Sequence, residues 1–157
     1  MIPIEDMFFT FKTPEDAYKF ENLKRLDSNS SVIEGEKSIF VFSKDKVHFY
    51  SKCNKGIKLG TQTKTNTIYN SWQDEYEISV IQYGDTNDYY IYIMNFNGKK
   101  FNITDSLNTE FINRNINYEN DKYSYYGYIG YINNLDESYY ITLDDKKIEL
   151  IKKTNKR

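Results

Sequence analysis

Along residues 13–26 the apolar positions Ala17, Phe20 and Leu23 recur every three residues among Lys and Glu. One stripe at that spacing predicts an amphipathic helix with a single buried side. Thr13 stands where an N-cap belongs and Pro14 suits the first turn; Asp16, three residues after Thr13, makes a partial capping box. Beyond the helix the pattern changes to strands and turns. SIFVFS (38–43), KDK and VHFYSK (47–52) predict a hairpin of β-branched and aromatic residues. YEISVIQYG (76–84), DTND and YYIYIMNF (89–96) predict a second. Asn97-Gly98 is the strongest hairpin signal in the chain and leads into KKFNIT (99–104). KYSYYGYIGYIN (122–133), YYITL (139–143) and KIELIKK (147–153) predict a three-stranded meander. CNKGIKLGTQTKTNT (53–67) reads as a polar connection and the most mobile loop, and residues 106–120 fit neither period.

These elements predict an α+β fold, with one N-terminal helix packed on a mostly antiparallel, meander-rich sheet or partial barrel of seven to nine strands. No proline follows Pro14 and no repeat is visible, so residues 1–157 are expected to form one domain, with 153–157 a polar tail.

The stretch YSYYGYIGYIN (123–133) places five tyrosines in eleven residues. On a strand, Tyr123, Tyr125, Gly127, Ile129 and Tyr131 share one face, and Ser124, Tyr126, Tyr128, Gly130 and Ile132 the other. Both faces carry rings, which predicts a central strand covered on both sides, wholly or in part. Residues 1–75 hold seven Phe and three Tyr, whereas 76–157 hold three Phe and thirteen Tyr. The phenol hydroxyl wants water or a partner. The N-terminal part is therefore expected to supply dry core, and the C-terminal part rings whose tips reach water. Two readings follow. The rings either coat the sheet and lie over Gly127 and Gly130, or form a binding surface with Tyr126, Tyr128, Tyr123 and Tyr125 as its contacts.

Charge narrows the function. There are 21 Lys and Arg against 23 Asp and Glu. A near-neutral, slightly acidic chain lacks the basic surface that displaces counterions from phosphate, so nucleic acid is not an expected partner. Ile, Lys, Asn and Tyr dominate while Ala occurs once, a usage that AT-rich codons favour and that points to a low-GC bacterium or its phage.

Candidate chemistry is sparse. His48 is the one histidine and Cys53 the one cysteine, which rules out an intrachain disulfide and leaves only a weak nucleophile–base pairing. The carboxylate groups Asp74/Glu75/Glu77, Asp85/Asp88, Asp136/Glu137 and Asp144/Asp145 fall in or beside turns, where such residues serve the backbone. Neither a phosphate-cradling glycine loop nor a nucleophile elbow occurs. The chain is expected to be a non-enzyme without cofactor or metal.

FFTFKTPEDAYKF, then VIEGEKS and IFVFSKDKVHFYSK, with YYITLDDKKIEL near the end, resemble a group of small Firmicutes proteins that carry a membrane anchor and an extracellular domain of unknown function. The likeness covers residues 8–52 and 122–150. The resemblance implies a domain outside the cell and a tether beyond this sequence, since MIPIEDMFF has no leader layout and no apolar run here approaches a membrane span. Without such an anchor the expected compartment is the cytoplasm. The function expected is a cell-surface module that binds a protein or peptide; the alternative is an immunity-type protein that blocks a cognate toxin. Long ring-bearing edges leave the oligomeric state open.

Overall fold

The computed structural model describes residues 10–22, 24–26, 30–43, 46–59, 65–96, 98–117 and 124–153. Among them are one helix and twelve strands in three open antiparallel sheets, and the chain falls into two compact units, Met1–Lys64 and Thr65–Arg157. The fold is α+β with antiparallel sheets. No sheet closes on itself among the described residues.

In the first unit the helix Pro14–Asn22 (α1) is capped by the Thr13 hydroxyl, which accepts the Asp16 N–H at 3.1 Å. It ends earlier than the periodicity predicts, where the Asn22 side chain takes the Tyr18 carbonyl at 3.0 Å and competes with the next turn. The buried side also differs from the predicted stripe. Ala17 and Tyr18 are buried, Phe20 is 54 % exposed against the Phe11 ring, and Leu23 lies outside the described residues. The phenol decides this orientation, because the Tyr18 hydroxyl donates to a buried acceptor, Ser43 Oγ, at 3.0 Å.

Strands Ser31–Glu34 (β1), Ser38–Ser43 (β2), Lys46–Cys53 (β3) and Gly56–Leu59 (β4) form one sheet in chain order, so the β2–β3 hairpin stands where it is predicted. Ile39, Val41, Tyr50 and Ile57 join Ala17 and Tyr18 in one buried cluster. The predicted polar connection 53–67 is largely strand: Cys53 ends β3, β4 takes Gly56–Leu59 and the next strand begins at Thr65, while 60–64 lie outside the described residues. Gly56 has φ +135°, and the Phe11 carbonyl would stand only 2.4 Å from a Cβ there. Only glycine lets the 10–11 segment add to β4, where Phe11 and Ile57 exchange both backbone hydrogen bonds at 2.8 Å.

In the second unit, Thr65–Trp72 (β5), Tyr76–Tyr83 (β6), Asp88–Asn95 (β7), Ile112–Asn117 (β9) and Ser124–Asn133 (β10) form a five-stranded sheet in the order β5-β6-β7-β10-β9. Ile103–Asp105 (β8), Ile141–Leu143 (β11) and Lys146–Ile148 (β12) form a three-stranded sheet in the order β12-β11-β8. Ile78, Val80, Ile91, Ile93, Tyr128 and Ile132 of the larger sheet share a core with Ile141, Leu143 and Ile148 of the smaller. Nine such side chains, at about 1.5–3 kcal/mol each on burial, are the main drive for this layering.

Two predicted pairings fail here. Asn97 of the predicted turn lies outside the described residues, and the chain after Gly98 does not pair with β7, because β7 is already flanked by β6 and β10 and β8 pairs with β11. The Asn95 side chain grips the Lys99 carbonyl, and the Phe101 N–H donates to the Tyr128 hydroxyl at 2.8 Å. These bonds lift residues 99–101 over the sheet face and start the second layer. The predicted C-terminal meander divides for the same reason: β10 pairs with β7 and β9, while β11 and β12 belong to the smaller sheet.

Candidate functional site

The tyrosine-rich strand β10 is central, as its two ring-bearing faces imply. Tyr128 is only 4 % exposed, in the core between the sheets. Burial pushes its phenol up, opposed in part by the Phe101 N–H that it accepts. Tyr126 is half-buried against the same core, with the Lys100 ammonium 5.8 Å from its ring centroid. Tyr125 lies on β10 with only its backbone placed, and Tyr123 lies outside the described residues. Of the four residues picked out in the sequence, Tyr126 is thus the one with a described, partly accessible ring. Over Gly130 the covering ring is Phe111, whose Cε1 would lie 2.8 Å from an added Cβ.

Several phenols of this unit end on partners rather than in water. The Tyr131 hydroxyl donates to Asp88 at 2.7 Å, and Asp88 is 1 % exposed. The Tyr139 hydroxyl donates to Asp105 Oδ2 at 2.8 Å. Asp105 also accepts the Leu107 and Thr109 N–H groups, at 3.1 and 2.7 Å, and the Thr109 hydroxyl. Four donors satisfy one buried carboxylate and pin the 105–109 turn under Tyr139. Burial first, then the bond to Asp105 and its charge, hold the Tyr139 phenol far above its ordinary value. Nothing in this hub is left to react.

The residues considered for chemistry do not converge. His48 and Cys53 are five apart on the regular strand β3 and point to opposite faces. His48 Nδ1 is 3.3 Å from Glu21 Oε1 and its Nε2 is buried without a hydrogen-bond partner. Glu21 also accepts the Tyr50 hydroxyl at 3.4 Å; burial, then the Glu21 charge, raise the Tyr50 phenol. Asp144 and Asp145 form the β11–β12 turn with positive φ, and Asp144 Oδ1 accepts the Asn102 N–H at 2.8 Å. Among the described residues no three His, Cys, Asp or Glu side chains are grouped to hold a metal ion.

A different surface stands out at the β5 edge. Trp72, the chain's single tryptophan, is 67 % exposed. Its ring centroid is 6.4 Å from that of half-buried Phe96. Residues 151–153 run antiparallel beside β5, with the Asn70 N–H donating to the Ile151 carbonyl and the Lys153 N–H to the Ile68 carbonyl, both at 2.9 Å. That register puts Ile151, 56 % exposed, opposite Asn70 and on the same face as Trp72. Composition gave no sign of this group, because its parts are spread over residues 72, 96 and 151. A tryptophan beside the turn QDE was the one available signal.

No helix among the described residues is long and apolar enough to cross a membrane. No family model matches this chain, nor does any curated protein or solved structure.

Proposed function

We propose that this chain is a non-catalytic protein-binding module acting at the cell surface, and that it meets its partner through the Trp72–Phe96–Ile151 corner of the five-stranded sheet. The observation that carries the reading is the 67 % exposure of the indole. Indole burial is among the larger gains available to an interface, and tryptophan is enriched at binding hot spots. Tyr126, on the other face of that sheet, is the contact that the tyrosine-rich stretch contributes.

A second reading, an immunity-type inhibitor occupying a toxin's active site, draws on the carboxylates Asp74 and Glu75 beside the same indole. It differs in strength, since such a pair binds at nanomolar affinity or tighter.

Site-specific photo-crosslinking tests the module. A photoreactive residue at exposed Gln73, compared with one at exposed Asn134, is carried through cells of the source organism. One protein adduct formed from position 73 alone supports the corner; adducts from both positions or from neither refute it.

A further inference from the structure

We infer that the Trp72 corner receives a cationic, extended peptide segment of its partner, with a lysine or arginine side chain lying over the indole. This rests on the module reading above and adds the partner's charge. The indole is open to solvent, and a cation over a tryptophan face is the strongest of the side-chain cation–π pairings. Carboxylates frame it. Glu77 is the cross-strand partner of Trp72, and exposed Asp74 and Glu75 follow in the turn. The Glu75 carbonyl accepts the Phe96 N–H at 2.8 Å, which holds that turn beside the second ring. The Glu149 carbonyl accepts the Ser71 hydroxyl at 2.9 Å, which brings the exposed residue Glu149 up to β5 one position from Trp72.

None of these four carboxylates is in an ion pair among the described residues. The whole chain carries a formal charge of only −2, so four around one ring is a local concentration. Arg114 shares the cross-strand row of Trp72 and Glu77 but stands four strands from the indole, on β9. Lys100 sits over Tyr126 and Lys152 pairs with Tyr69, and both tyrosines pack on the core face. Lys153 stands opposite Ile68, further along β5 from Trp72.

Complementarity therefore favours a basic segment. Its charged head meets the carboxylates, and its aliphatic stem lies on Phe96 and Ile151. A neutral or acidic segment over the same rings would strip water from carboxylates without replacing it, which selects against it.

The test follows the indole N–H of the sole tryptophan by NMR in the full chain, titrated separately with hexa-arginine, a Gly-Ser hexapeptide and hexaglutamate. The expected result is a saturable shift with hexa-arginine alone, weakened on the order of tenfold or more by raised salt and by the triple variant Asp74→Asn/Glu75→Gln/Glu149→Gln. The amides of the exposed Asp136 and Glu137 turn, which pairs two carboxylates without an indole, should stay still. An equal shift with the Gly-Ser peptide overturns the charge inference and leaves the binding corner standing. Equal movement at Asp136 and Glu137, or a shift unchanged in the triple variant, overturns it as diffuse attraction. Silence of the indole towards all three peptides overturns it as well, and the crosslink at position 73 then decides the module reading by itself.

Discussion

The centre of the five-stranded sheet and its β5 edge are both rich in aromatic rings, yet they treat them in opposite ways. At the centre, Tyr128 and Tyr131 on β10 and Tyr139 above it have hydroxyls bonded within the fold: Tyr128 accepts from Phe101, and the other two donate to Asp88 and Asp105. At the edge, Trp72 exposes two-thirds of its surface. The difference teaches that abundance of a binding-type residue does not mark a binding surface. A phenol has one polar atom that can tie a crossing segment to a sheet, so a layered β unit uses tyrosine as internal fastening. The exposed indole at the strand end has no such polar tie among the described residues and packs beside Phe96 with most of its surface in water.

Substitutions can break this comparison, beginning with the largest effect. Asp105→Ala strips the acceptor from four donors at once and is expected to cost about 3 kcal/mol or more in urea unfolding, with Tyr139→Phe costing about 1–2. If Asp105→Ala leaves the midpoint unchanged, the hub does not hold the centre together. Gly130→Ala drives a methyl into Phe111 and Thr109, with contacts of 2.8–2.9 Å, and is expected to destabilise by about 1–3 kcal/mol. A double variant that also trims Phe111 to Leu should recover part of that loss.

The phenols add a pH dependence whose sign is set by their raised values. The Tyr139, Tyr50 and Tyr128 hydroxyls are held protonated in the fold relative to the ordinary value of 10.0. Their contribution is full below that value and is lost as pH rises above it. Ultraviolet titration should show the Tyr139, Tyr50 and Tyr128 phenols ionising only together with alkaline unfolding. Ionisation of all sixteen in one reversible step with native circular dichroism retained would contradict the fastening role. The smallest expected effect on stability is the sharpest for function. Trp72→Ser should change stability by no more than about 0.5 kcal/mol while abolishing the crosslink from position 73. A large loss of stability would make Trp72 a packing residue instead.

Local signals were legible where they were self-contained. Thr13 and Pro14 start the helix as their chemistry requires. The β2–β3, β6–β7 and β11–β12 hairpins join neighbours over short turns, and their runs of β-branched and aromatic residues between turn signals are enough to place them. Strand β4 was hidden because its apolar positions are few; it pairs with the adjacent β3 and, on its other side, with Phe11, which lies far away in sequence. Strand β9, INRNIN, alternates, but its Asn and Arg positions read as loop until β10 is there to pair with them.

The candidate site was less legible than the fold. Tyrosine density pointed to β10, but the expectation that those ring tips reach water fails at Tyr128, Tyr131 and Tyr139, whose hydroxyls bond within the fold. Their partners proved to be Asp88, Asp105 and the Phe101 amide, up to 43 residues away in sequence. No local pattern encodes that choice.

What the sequence determined by itself was therefore the class of object: period-two strands after one capped helix, and rings that require both burial and hydrogen-bond partners. Which strands share a sheet was decided only in three dimensions. So was which ring stays wet. Sheet membership depends on residues 99–101 being held over the β7–β10 pair rather than laid beside it, an outcome set by packing and by hydrogen bonds such as that from the Phe101 N–H to Tyr128.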